Sequence, residues 1–266
     1  MSRTKRRGGN ASPIKRYLQF SGSTGQFSYY DKESKERVEL DELEIVVLDV
    51  RSSITGFNSD TSAQITSNLV AATGSEVLKV ASWKDGKSTD IAEGLYKEIK
   101  DKVKAAGGKF TANVICLCDV TGEGKEVCNL QFQGSSLNGW INFLDSLDRD
   151  GEYDNVITIK RGALSKLLKG KFVPVTDKEE KDLDAKLKKN PRAPRPIWFY
   201  VLEFDTVEIT DEQSDEAGEY DDELQAYFDG NKPATKNDES DEDEDEDDAP
   251  TAPDDDEADE KDDLPF

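Results

Sequence analysis

The chain has 266 residues, with 35 Lys and Arg against 58 Asp and Glu, and it contains no histidine. Without imidazole there is no Ser-His-Asp or Cys-His nucleophile, no histidine general base and no His-containing zinc site. The charge is unevenly placed: 27 of the acids lie in residues 211–266 against three lysines, a balance of −24, whereas residues 1–210 carry 31 acids against 32 Lys and Arg. The whole-chain value of −23 therefore describes an acidic appendage on a nearly neutral body. A body of about 200 residues can bury a core without staples. Three cysteines, no apolar leader-like run behind Met1 and no apolar stretch approaching roughly 18 residues lead us to expect a cytoplasmic chain with neither a disulfide framework nor a membrane span.

Residues 1–13, MSRTKRRGGNASP, read as a flexible basic arm with Arg3, Lys5, Arg6 and Arg7 and no acid. Short strand-like runs follow at Tyr17–Phe20, Gln26–Tyr30 and Arg37–Leu40, separated by polar turns. A longer strand, Leu43–Ile54, alternates so that Val46, Leu48, Val50 and Ile54 share one face and Asp49 and Arg51 the other. Val77–Trp83 is the next strand, with Lys79 and Trp83 on one side. Asp90-x-x-Glu93 resembles a capping box that opens a helix with Ile91, Leu95, Ile99 and Val103 on one face, stopped by Gly107-Gly108. Phe110–Val120 and Lys125–Phe132 form a hairpin around Gly122-Glu123-Gly124. A helix over Leu137–Leu147 buries Trp140, Ile141, Leu144 and Leu147. Strands at Val156–Arg161 and Lys171–Val175 bracket a short helix at Ala163–Leu168, and a charged helix over Asp177–Lys189 ends at the Pro-rich stretch Pro191–Pro196. The last strand, Ile197–Ile209, is apolar on both sides through Phe204 and so should be central.

Short or curved strands with inserted helices, and no regular βαβ alternation, predict a mainly β (α+β) body over residues 14–210, an elaborated OB-fold barrel. From residue 211 the pattern ends. Tyr220–Phe228 places Leu224, Tyr227 and Phe228 at helical spacing, suited to a transient helix that touches the body or a partner, and Asp241–Asp248 are eight acids in a row. Self-repulsion and the lack of anything to bury predict that 211–266 is a disordered acidic tail.

That tail closes on Asp262-Asp263-Leu264-Pro265-Phe266, apolar groups following a polyanion. The arrangement suits a peptide buried in another protein. Phe266 offers an aromatic anchor and the α-carboxylate, Pro265 restricts the conformations lost on docking, and Asp262 and Asp263 can meet a basic rim. The tip resembles that of the bacterial single-stranded DNA-binding protein family: two or three acids, a hydrophobe, Pro, and Phe as the last residue. The longer body, the inserted helices and the lack of a Gly/Gln/Pro-rich linker resemble the phage members with an elaborated OB-fold. The resemblance implies a non-enzymatic protein without cofactor. It would coat single-stranded DNA with little sequence preference during replication, recombination and repair in the bacterial host cytoplasm. Its tip would recruit polymerase, helicase, primase or nuclease partners.

The body supplies its own candidates. Non-specific strand binding needs cations for phosphates and aromatic faces for bases. Arg16, Tyr17, Phe27 and Tyr29 form one such cluster, with Phe27 and Tyr29 alternating onto one strand face; Lys79, Trp83 and Lys84 form a second. Lys160, Arg161, Lys166, Lys169 and Lys171 make an acid-free basic stretch. Trp140, Trp198 and Phe199 read as core. A 56-residue tail spans about 40 Å, so it can occupy the basic groove until DNA displaces it. Cys116 and Cys118 share a strand face, with Cys128 opposite Cys118. Without a fourth ligand on that face, these are expected to be buried free thiols and not a zinc site. Two other classes fit the composition: an acidic DNA mimic or histone-chaperone-like protein, and a carboxylate- and metal-dependent nuclease.

Overall fold

A computed structural model describes residues 12–147, 151–168, 171–190, 193–194 and 196–229. The basic arm up to residue 11, Lys169, half of the Pro-rich stretch and the tip at Asp262–Phe266 lie outside them. The described chain runs β1 (Arg16–Ser21), β2 (Gln26–Asp31), β3 (Glu36–Leu40), β4 (Glu42–Asn58), β5 (Ala63–Ser67), β6 (Val70–Ala71), β7 (Leu78–Lys84), β8 (Lys87–Gly94), α1 (Tyr96–Ala105), β9 (Gly108–Cys118), β10 (Glu126–Phe132), α2 (Gly134–Leu144), β11 (Asn155–Leu168), β12 (Lys171–Pro174), α3 (Asp177–Lys189), β13 (Phe199–Glu208) and α4 (Asp211–Phe228).

The strands form one open mixed sheet in the order β3-β2-β1-β10-β9-β4-β5-β7-β8, with β11 adding to β4 and carrying β12 and β13. All the pairings are antiparallel except β1 with β10. The 17-residue β4 is the hub: it pairs with β9 along most of its length, with β11 near its start and with β5 near its end. The sheet curls, because β1, β2, β4, β9, β10, β11 and β13 all send side chains into one core cluster that includes Leu18, Ile45, Val114, Leu130, Ile157 and Leu202. Helix α2 closes that cluster with Trp140, whose ring stacks on Phe132 at 5.4 Å between centroids. One backbone bond, from Tyr200 N–H to the Gly22 carbonyl (2.7 Å), joins the start of β13 to the β1–β2 turn. A second cluster, Ile54, Ile65, Leu78, Val80, Ile99 and Val103, fixes α1 against the arm made by β5, β7 and β8. Here backbones touch: a Cβ on Gly56 would lie 2.2 Å from the Gly107 carbonyl oxygen, and one on Gly108 would lie 2.8 Å from Val103. Gly107 itself holds φ +89°.

A β-bulge between Val47 and Asp49 inserts Leu48 as an extra residue in β4. Before it Leu43, Ile45 and Val47 face the main core; after it Val50 and Ile54 face the interior and odd-numbered residues face out. The simple alternation expected for Leu43–Ile54 is therefore wrong by one residue: Val46 and Leu48 lie on the opposite side of the sheet from Val50 and Ile54.

Four further expectations are corrected. Asp90 does not open a helix but sits in β8, which ends at Gly94 (φ +153°), and α1 begins at Tyr96. Ala163–Leu168 is strand, because it pairs with β12 and β13 beyond a register shift at Arg161/Leu164. Among the described residues β13 pairs with β11 alone, at an edge rather than in the centre. Most consequentially, residues 211–228, assigned to the disordered tail, form α4, opened by a Thr210 capping box with Gln213. Leu224 is fully buried against Ile14, Val46, Leu48, Ile115, Leu117, Val127 and Val156 on the outer side of the sheet, with Ala217, Tyr220 and Phe228 beside it. This helix carries eight acids and no Lys or Arg, so its polar surface is strongly anionic while its apolar stripe is spent on the body. Among the described residues no helix is long and apolar enough to cross a membrane.

Leu224→Ala removes a side chain with no exposed surface and is expected to lower unfolding free energy by about 2–5 kcal/mol, measurable as a lower denaturant midpoint. An unchanged midpoint would mean that α4 does not dock in solution.

Candidate nucleic-acid interface

Directly paired residues in neighbouring strands share a face of the sheet, so the pairings map the outer surface row by row. Tyr17 pairs with Asn129, and Gln19 with Gln131. Gln131 pairs with Asn113, Asn113 with Arg51, Thr111 with Ser53, and Lys109 with Thr55. Phe57 pairs with Gln64 and Gln64 with Trp83. Tyr17, Phe57 and Trp83 are 44 %, 48 % and 48 % exposed. The same face thus carries three large rings, the cations Arg51, Lys79 and Lys109, and a central field of carboxamides and hydroxyls. The apolar part of this side, around Ile115 and Leu117, is the part that α4 covers.

Arg51 stands at the boundary of the covered and uncovered parts. Its Nε donates to Asp49 Oδ2 (2.6 Å) and its Nη2 to Gln225 Oε1 (3.4 Å), and its guanidinium lies 3.6 Å from the centre of the Phe228 ring. The C-terminal end of the acidic helix therefore rests on a cation of the interface. Lys125 makes a second link to α4, donating to Glu216 Oε2 at 2.8 Å.

The structure divides the residues expected to bind DNA into three groups. Tyr17, Lys79 and Trp83 lie on the outer face; exposed Lys84 follows at the β7–β8 tip, its Nζ 2.5 Å from the Thr61 carbonyl oxygen. Lys79 pairs loosely with Glu93 at 3.5 Å, both side chains being largely solvated. Arg16, Phe27 and Tyr29 are corrected. Phe27 and Tyr29 do alternate onto one face of β2, but that face is the core, where Phe27 is fully buried and Tyr29 nearly so. Arg16, half-buried, shares the inner side of β1 with Leu18, where it is held by Glu126 and Asp31 and stacks over Tyr29 at 4.8 Å. Lys160, Arg161 and Lys171 belong to β11 and β12, away from the rows above. The stretch is acid-free in sequence but not in space. Lys160 donates to Asp205 on β13 (2.5 Å), a bond that raises its pKa, and Lys166 bonds Glu179 on α3. Together with the Thr176 cap, the Lys166 bond lowers Glu179 to about 2. Arg161 lies over the Tyr200 ring at 5.2 Å. Trp140 and Phe199 are core, as expected, and Trp198 is half-buried.

Sequence reading missed Phe57, Arg51, Lys109 and the carboxamide field. Phe57 falls beyond the expected end of the strand; Ser53, Thr55 and Phe57, read against Ile54 and Gly56, carry the alternation that would have extended it.

The three cysteines are free and buried, all on the inner face. Cys128 pairs with Cys116, and Cys118 with Glu126, which corrects the expected register by two residues. Loss of hydration pushes the Cys118 thiol up from the ordinary 9.0 to about 12, helped by Asp119, Glu126 and Glu44, and burial raises Cys116 and Cys128 as well. Among the described residues no group of three or more Cys, Asp or Glu side chains is placed to hold a metal ion.

Comparisons of the chain with protein-family models, with curated proteins and with solved structures find no match.

Because the Cys118 thiol stays protonated to about pH 12 in the native state, a disulfide reagent at pH 8 is expected to modify essentially none of the three cysteines until denaturant is added. The same shift, being upward, contributes stability that is complete below the unfolded value of 9.0 and is lost between 9.0 and about 12. Alkaline titration of the unfolding midpoint reads it directly, and prompt native-state labelling would contradict the buried placement.

Proposed function

We propose that this protein is a non-enzymatic single-stranded DNA-binding protein, and that its curled sheet is an elaborated OB-fold barrel. The observation that carries the reading is the outer face itself: Tyr17, Phe57 and Trp83 stand half-exposed on one continuous surface, with Arg51, Lys79 and Lys109 between and beside them. Non-specific strand binding uses such a combination of exposed rings and cations, and each base stacked on a ring contributes about 1–3 kcal/mol with little dependence on base identity. The barrel assignment is supported by seven strands sharing one core and by the Tyr200–Gly22 bond that brings β13 to the β1–β2 turn.

The acidic C-terminal region has two roles in this reading. Because α4 ends at Phe228 on Arg51, residues 230–266, with 18 acids against three lysines, start beside the interface and compete with DNA phosphates for it. When DNA displaces them, Asp262, Asp263, Leu264, Pro265 and Phe266 become available to replication, recombination and repair enzymes, as the resemblance of that tip implies. The setting is the cytoplasm of a bacterial host, with a phage as the source.

Gel shifts with labelled oligo-dT test the reading. Phe57→Ala and Trp83→Ala are each expected to weaken binding by about tenfold or more, while Tyr29→Phe, a change inside the core, leaves it unchanged. Truncation after Asp229, which keeps α4 in place, should tighten binding at low salt and flatten its salt dependence. No shift at low salt removes DNA binding, as expected for an acidic mimic of DNA; Mg²⁺-dependent loss of the labelled strand indicates a nuclease; unchanged affinity on truncation removes the competition.

A further inference from the structure

The outer face continues past Tyr17 to the edge of the sheet. On β2, Phe27 and Tyr29 belong to the core, so the alternate residues Ser28 and Tyr30 belong to the other face. On β3, Val38 and Leu40 pack against the same core and leave Arg37 and Glu39 outside. Tyr30 pairs with Arg37, and Ser28 with Glu39. The bonded pairs between β1 and β2, such as Gln19 with Ser28, place Tyr17 opposite Tyr30 when the register is carried on by two residues. The Arg16–Asp31 ion pair (3.5 Å) lies on that continued register, so the two strands hold it beyond their last bonded pair. One row of the outer face therefore reads Arg37, Tyr30, Tyr17, Asn129.

This row holds both components of non-specific strand binding, a ring for bases and a cation for phosphates. Tyr30 is 51 % exposed, more than Tyr17, Phe57 or Trp83, and its ring engages no other ring among the described residues. Arg37 is exposed and makes no ion pair among the described residues. Arg51, by contrast, is tied to Asp49, and Lys79 faces Glu93. The acid on the same face of β3, Glu39, is two residues along, opposite Ser28.

Beyond Asn129 the row continues through Ile115 to Asp49, but Leu224 of α4 packs on Ile115 there. The uncovered way from Tyr17 to the far rings is a diagonal, through Gln131 and Asn113 to Thr55 and Phe57. Three strand spacings separate β1 from β4, and eight residues of β4 separate Asp49 from Phe57. At about 4.8 Å per strand and about 3.3 Å per residue, the diagonal is about 30 Å along the surface. That length takes up about nine nucleotides at the stacked rise of about 3.4 Å, and about half as many at twice that rise. Resting on the reading of this face as a DNA surface, we infer that Tyr30 and Arg37 form a further subsite for single-stranded DNA at the β2–β3 edge. Tyr30 stacks a base, Arg37 holds a phosphate, and the bound strand runs from there diagonally across the carboxamide field to Phe57 and Trp83.

The test is a titration of the full chain with labelled oligo-dT of about 4 to about 20 nucleotides. Tyr30→Ala is expected to weaken binding of the longest strand about tenfold, while Tyr30→Phe, which keeps the ring, leaves it within about twofold. The unaltered chain should gain affinity as the strand grows past about five to nine nucleotides and reaches both sets of rings, and Tyr30→Ala/Arg37→Gln should lose that gain. Arg37→Gln should also reduce the slope of log K against log salt by about 0.7, the share of one phosphate on a single strand. Being a slope within one protein preparation, it does not depend on the folded fraction. Binding of every length by Tyr30→Ala as by the unaltered chain, equal losses in Tyr30→Ala and Tyr30→Phe, or an unchanged salt slope in Arg37→Gln would overturn the subsite while leaving DNA binding intact. If no oligonucleotide binds the unaltered chain, both the subsite and the DNA-binding reading fall.

Discussion

A single extra residue in β4 decides which side chains of this protein meet water. A strand shows alternate residues to its two faces, so inserting one residue exchanges the faces for everything that follows. Ahead of Leu48 the odd-numbered residues of β4 build the main core; past it they become Arg51, Ser53, Thr55 and Phe57 on the outer surface, and the even-numbered Val50 and Ile54 turn inward. Without the bulge a guanidinium and two hydroxyls would face the interior, and Val50 and Ile54 would face solvent. Since β4 pairs with β9, β11 and β5, the same insertion aligns the carboxamides of β9 and β10 with the rings carried by β4 and β7.

The outer side of the sheet is consequently of two kinds. Near the start of β4 it is aliphatic, and α4 closes it with Leu224. Farther along it is polar and aromatic and, among the described residues, carries no covering element, although Phe228 and Gln225 reach its border at Arg51. One helix thus performs a packing task on its apolar stripe while presenting an anionic surface beside the open part, and the packing keeps that negative charge in a fixed place. Such a helix is difficult to separate from the body: removing it would uncover Ile115, Leu117 and Val127 together.

The parts of this organisation visible in the sequence were those governed by local pattern. The β9–β10 hairpin, the helix that buries Trp140, the charged helix over Asp177–Lys189 and the strand nature of β4 all follow from spacing over a few residues. What was not legible depended on partners distant in the chain. Phe27 and Tyr29 alternate as a stacking surface would, and only the curl of the sheet decides that their side is the interior. Ala163–Leu168 has helix-forming residues, yet ladders with β12 and β13 make it strand. Ile91, Leu95, Ile99 and Val103 keep helical spacing across Gly94, where the backbone turns and a strand gives way to a helix. In α4 the stripe Ala217, Tyr220, Leu224 and Phe228 was present all along, hidden by an acidic composition that also describes unfolded chain. The carboxamide field could not be seen before the register was known, since its members come from β1, β9 and β10.

The contact of Gly56 with Gly107 and Gly108 sets a scale for whatever lies across the arm. Bare backbone packed against backbone leaves little give where β4 meets the end of α1, so Phe57 and Trp83, two strand positions apart in one row, keep a separation of about 10 Å. Stacked nucleotides repeat at about 3.4 Å. A polynucleotide resting on both rings would have to surrender its own stacking and adopt the pitch of the sheet, a geometry closed to paired helices, so the protein would act as a rigid comb that straightens what it touches.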